Sequence, residues 1–127
     1  MSDEQTKLEG VEISSEEAEQ FDLLSAKYFS AQQNVPYELT FSRARLVRKM
    51  VKRYQSEEME EKVVLELIVN SINGKNTVAP QEWNIKSKKL RDMFDVYYKD
   101  GRITKKVFLF KIKGMGKETN YTLATKE

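Results

Sequence analysis

Pro36 and Pro80 are the only two prolines among 127 residues, and each begins a segment that aligns with the other. "PYELTFSRARLVRKMVKRY" (36–54) and "PQEWNIKSKKLRDMFDVYY" (80–98) share the proline, Glu38/Glu82, Leu46/Leu90 and Tyr54/Tyr98 at a constant offset of 44 positions. Leu39/Trp83, Phe41/Ile85 and Met50/Phe94 match as apolar positions, and Arg45/Lys89 match in charge. Duplication is a strong constraint, because two like units must bury like faces against one another. Each proline also bars a helix from running through it and biases the residue before it toward an extended shape.

After the first proline, Ser42 is positioned to cap a helix running to about Gln55. On a helical wheel Leu46, Val47, Met50, Val51 and Tyr54 form a seam, with Arg45, Arg48, Lys49 and Lys52 opposite. The second copy, 87–99, keeps the seam through Leu90, Met93, Phe94, Tyr97 and Tyr98, and Asp100-Gly101 ends it. Segment 60–72 reads two ways. As a helix it has a face of Val64, Leu65, Ile68, Val69 and Ile72; as a strand, Val63, Leu65, Leu67 and Val69 share a side. The repeat favours strand, because "KVVLELI" lies at the same offset as "KVFLFKI" (106–112), which is β-branched and aromatic. Asn73-Gly74 then supplies a tight hairpin turn.

The expected fold is therefore α+β: two pseudo-symmetric winged helix-turn-helix units packed through antiparallel β-hairpins as an internal dimer. The first unit takes 14–79, with an extra N-terminal helix, and the second 80–127. That amphipathic helix runs from Ser15 to about residue 32, capped by the Ser14-Ser15-Glu16-Glu17 box. Residues 1–13 read as an acidic flexible tail.

The sequence contains neither cysteine nor histidine. Disulfides, thiolate zinc sites, thiol nucleophiles and the commonest general base are all excluded, so no catalytic residue, metal ligand or cofactor is expected. Glu60-Glu61-Lys62 has the Glu-x-Lys spacing of some metal-dependent nucleases, but no convincing partner carboxylate precedes it. No apolar run is long enough to cross a membrane and no secretion signal begins the chain, which points to the cytoplasm. Charge is unevenly spread. Residues 1–20 hold seven acids against Lys7, a net of −6, while the other 107 residues hold 21 Lys and Arg against 13 Asp and Glu, a net of +8.

A basic body selects a polyanion as partner. Arg43, Arg45, Arg48, Lys49 and Lys52 line the first helix, Lys86, Lys88, Lys89 and Arg91 the start of the second, and Lys111, Lys113 and Lys117 the last hairpin. In a winged helix-turn-helix such helices enter major grooves and the hairpin lies on phosphates, each neutralised phosphate releasing a counterion. Double-stranded DNA is the expected partner, bound without catalysis by a monomer acting as an internal dimer. The alternative is an adapter whose basic face docks on an acidic protein. Trp83 and Tyr97-Tyr98 read as core, and the run Glu57, Glu58, Glu60, Glu61 as a solvated linker.

With "SRARLVRKMVKRY" and "KSKKLRDMFDVYY" as recognition helices and "VFLFKIKGMGKETNYTLA" as a wing, the chain resembles small winged-helix DNA-binding proteins of the MerR-like kind, in duplicated forms such as those of Gram-positive conjugative plasmids. The resemblance implies a cytosolic plasmid or phage factor, a transfer accessory or transcriptional regulator, working beside other transfer or transcription proteins.

Overall fold

The computed structural model describes residues 10–53, 55–114 and 119–126. Its elements run α1 (Ser15–Ser25), β1 (Tyr37–Lys52), β2 (Met59–Ile72), β3 (Lys75–Ile85), α2 (Lys88–Lys99), a 3-10 turn (Arg102–Thr104), β4 (Val107–Lys113) and β5 (Asn120–Lys126). The five strands form one antiparallel sheet in the order β3-β2-β1-β4-β5.

This overturns the winged helix-turn-helix expectation. Segment 42–55 is no recognition helix: through Lys52 it is the second part of β1. Charge spacing explains the outcome. Coiled as a helix, it would set Arg45 against Lys49, Arg48 against Lys52 and Lys49 against Arg53, all like-charge i,i+4 pairs that destabilise a helix. At the same spacing α2 has opposite charges, with Lys88 2.8 Å from Asp92 and Lys99 2.8 Å from Asp95. Ser87 caps α2 by accepting from the Leu90 amide at 3.3 Å.

The internal repeat therefore does not survive as structure. Residues 37–41 and 81–85 are both strand and turn Leu39/Trp83 and Phe41/Ile85 to the core, but beyond them one copy stays extended and the other coils. The boundary expected between residues 79 and 80 falls inside β3.

Other expectations hold. Segment 60–72 lies in strand β2, and Phe108, Phe110 and Ile112 of β4 face the core, opposite Lys111 and Lys113. Asn73 and Gly74, both at positive φ (53° and 82°), make the β2–β3 turn. Helix α1 starts where its capping box sets it, with Ser14 Oγ accepting from the Glu17 amide at 3.1 Å, but it ends at Ser25 rather than near residue 32.

The core lies between the sheet and α2. Leu39, Phe41, Leu65, Leu67, Phe108 and Phe110 meet Leu90 and Phe94, all buried. Phe94 touches Phe41, Trp83 and Phe108 with ring centroids 5.5–5.9 Å apart. Trp83 is part of this cluster, as its apolar register implies. Residues 27–34 strap the fold: the Glu82 amide donates to the Lys27 carbonyl (3.0 Å), Phe29 N–H to Glu82 (2.9 Å) and Asn34 N–H to Ile112 (2.8 Å). No helix among the described residues is long and apolar enough to cross a membrane.

Candidate nucleic-acid interface

β1 is longer than the sheet that holds it. Residues 37–39 pair with β4, and Leu39 also opens the ladder with β2, but β4 reaches no further. β3 in turn leaves β2 at Leu65. Residues 47–52 and 59–64 are thus paired only with each other, a two-stranded ribbon extending roughly 20 Å past the sheet at about 3.3 Å per residue.

Two register shifts, around Thr40/Phe41 and Phe41/Arg43, leave Ser42 outside the ladder. Such a bulge changes which side chains share a face. Before it Leu39 and Phe41 point to the core; after it Ala44 packs against the core and Leu46 shares its face of the strand, opposite Leu67 and Leu65. The five cations expected on one helical stripe are consequently divided. Arg48 and Lys52 continue the core-side face, while Arg43, Arg45 and Lys49 occupy the other.

The acidic run is only half linker: Glu57 and Glu58 lie in the β1–β2 connection, Glu60 and Glu61 lie on β2, and all four supply partners for cations of this hairpin. Arg45 Nε lies 2.5 Å and Lys49 Nζ 2.8 Å from the two oxygens of Glu66. Arg48 reaches Glu61 (3.4 Å), Lys52 reaches Glu57 (3.2 Å), and Arg53 reaches Glu58 (3.3 Å) and Glu60 (3.7 Å). Hydrogen bonds from Lys49 and then Arg45 hold the Glu66 carboxyl below its ordinary range, against a smaller opposing effect of burial. The Lys52 and Arg48 pairs are exposed, and exposed pairs contribute only about 0–1 kcal/mol, so phosphate can replace those carboxylates at small cost. Arg43 has no ion-pair partner among the described residues. It borders a small recess of about 170 Å³ on the outer face of the sheet, with Ile68, Glu82 and Asn84.

On the core-side face of the ribbon Leu46, Met50, Met59 and Val63 are 41–54% exposed, interleaved with Arg48 and Lys52. The Tyr98 hydroxyl of α2 accepts from the Leu46 amide at 3.3 Å and braces the base of the ribbon.

The remaining expected residues lie elsewhere. Lys86 is exposed after β3. Lys88 is tied to Asp92, and Lys89 Nζ donates to Thr119 O (3.1 Å) and Asn120 Oδ1 (2.7 Å). Arg91 Nε is buried with no hydrogen-bond partner. Lys111 and Lys113 point outward from β4, and Lys117 lies outside the described residues. The structure brings together the β1 cations but does not align them with those of α2 as paired readers.

A further feature escaped the sequence reading. β3 and β5 are the two ends of the sheet, and between them opens a cleft of about 400 Å³ lined by Tyr28, Trp83, Phe110 and Tyr121. No linear signal marks it, since its walls come from strands remote in sequence.

Comparison with protein-family models, curated proteins and solved structures finds no match to this chain.

Proposed function

We propose that the protein binds single-stranded nucleic acid without catalysis, gripping the phosphate backbone with the β1–β2 ribbon and the adjoining outer face of β1–β3. The observation that carries this reading is connectivity. Three meandering strands, a helix and then two more strands, with β1 shared between β2 and β4, follow the order of the partly open five-stranded barrels that bind oligonucleotides and oligosaccharides. Those barrels use the face of strands 2 and 3 and the β1–β2 and β4–β5 loops; here the β1–β2 connection is the long cationic ribbon. The inference of function is by analogy of topology, and the chemistry of the ribbon supports it independently. Arg43, Arg48 and Lys52 are available to phosphates, and the apolar strip beside Arg48 and Lys52 suits unstacked bases better than a closed duplex.

The test is fluorescence anisotropy with labelled single-stranded and duplex oligonucleotides of one sequence, across a potassium chloride series. The single strand is expected to bind more tightly, with log K falling against log salt by about 0.7 per neutralised phosphate, or about −2 for three. Arg43→Glu/Arg48→Glu/Lys52→Glu, with circular dichroism unchanged, is expected to abolish binding. Failure to bind either probe at low salt overturns the reading, as does a triple variant that binds normally. Tighter duplex binding would replace it with groove reading by the ribbon.

A further inference from the structure

We infer that the cleft between β3 and β5 is a nucleobase pocket, a subsite for the single strand gripped by the ribbon; this rests on the function proposed above. The floor is aromatic. Tyr121 stacks on Phe110 with centroids 6.0 Å apart and planes 19° from parallel, and Trp83 meets Phe110 edge-on at 4.9 Å. Tyr28 stands at the mouth, 52% exposed, with Lys27 Nζ 5.3 Å from its ring centroid. About 400 Å³ is room for a base and its sugar.

The wall offers polar recognition as well. Glu82 turns both its N–H and C=O away from β2, where Lys27 O and Phe29 N take them. By strand alternation the N–H and C=O of Asn84, two residues on, point the same way. They meet no backbone partner among the described residues, and the Asn84 side chain is likewise without a hydrogen bond there. A donor and an acceptor side by side complement the acceptor–donor edge of a base. Lys86, exposed and without an ion-pair partner among the described residues, stands on the same wall to meet a phosphate.

A peptide strand fits less well. The strap already occupies β3 at Glu82, and only Asn84 and Lys86 remain before α2 begins, too little edge for an added strand.

Trp83 is the sole tryptophan, so its emission reports on the cleft directly. The probes are oligo(dT) of twelve nucleotides and an abasic strand of equal length, which keeps the phosphates and lacks the bases. Oligo(dT) is expected to bind and change Trp83 emission, and the abasic strand to bind by anisotropy without changing it. Tyr28→Ala, at an exposed position the core does not need, is expected to weaken oligo(dT) binding about 5- to 100-fold, the usual loss for one stacking contact, and to leave the abasic strand unaffected. If oligo(dT) binds with emission unchanged and Tyr28→Ala binds equally well, the pocket is refuted while the single-strand reading stands. An equal emission change with the abasic strand also refutes it. Binding of neither strand overturns both.

Discussion

The ammonium of Lys49 lies 2.8 Å from a carboxylate oxygen of Glu66, four residues along β1 from Arg45, which faces Glu66 directly across the ladder. One carboxylate thus engages two further cations of β1, beyond Arg43, Arg48 and Lys52. Glu66→Gln is expected to release both. Oligonucleotide affinity rises, and the dependence of log K on log salt steepens by about 1.4, or 0.7 for each added phosphate contact. Anisotropy titrations at several salt concentrations check this; an unchanged slope would mean that Arg45 and Lys49 do not reach phosphates once released.

The same carboxylate makes stability depend on pH. The folded-state pKa of Glu66 is depressed, chiefly by the Lys49 hydrogen bond and then by that of Arg45. Its stabilising contribution is therefore complete above the ordinary glutamate range and is lost as pH falls through the lower folded value. Urea unfolding of wild type and Glu66→Gln is expected to differ most near pH 6 and to converge on acidification toward pH 3.

Tyr98→Phe removes the hydroxyl that accepts from Leu46 N–H, where the ribbon leaves the sheet. A net loss on the order of 1 kcal/mol is expected. Amide exchange provides a local readout: Leu46 should exchange faster, while amides of β4 exchange at their wild-type rates relative to global stability.

Phe94 is fully buried among Phe41, Trp83 and Phe108. Phe94→Ala is expected to cost roughly 3–5 kcal/mol through lost transfer energy and the cavity left behind. Thermal unfolding by circular dichroism measures it, and a loss below 1 kcal/mol would contradict the packing of α2 on the sheet.

At Gly74, φ is 82° and an added Cβ would meet open space. Gly74→Ala is expected to cost about 1–2 kcal/mol from backbone strain alone, with no steric contribution. Chemical denaturation reads this cost. A neutral result would mean that the Asn73-Gly74 turn relaxes into another type.

The features legible in the sequence are those whose causes are local. Ser14 and Ser87 cap helices because each hydroxyl reaches an amide three residues ahead. Asn73-Gly74 turns because both residues tolerate positive φ. Alternation in 107–113 divides Phe108 and Phe110 from Lys111 and Lys113 without reference to any neighbour. Segment 42–55 failed because an amphipathic wheel records only where apolar residues fall. Its seam of Leu46, Val47, Met50 and Val51 is compatible with a helix, but the acids that stabilise its cations lie at 57–66, across a hairpin. The bulge at Ser42 then shifted the phase of the strand, and no periodicity count anticipates an unpaired residue.

By itself, then, the chain's order of residues determined its caps, turns and alternating strands, and a basic body free of thiol and imidazole chemistry. Only tertiary structure decided that β1 lies between β2 and β4, that the ribbon extends beyond the sheet, and that aromatic rings from β3, β4 and β5 line one cleft. Hydrogen bonds within a turn involve residues a few positions apart. Strand neighbours are chosen by burial and charge summed over segments tens of residues apart, and that sum exists only once the chain has closed on itself.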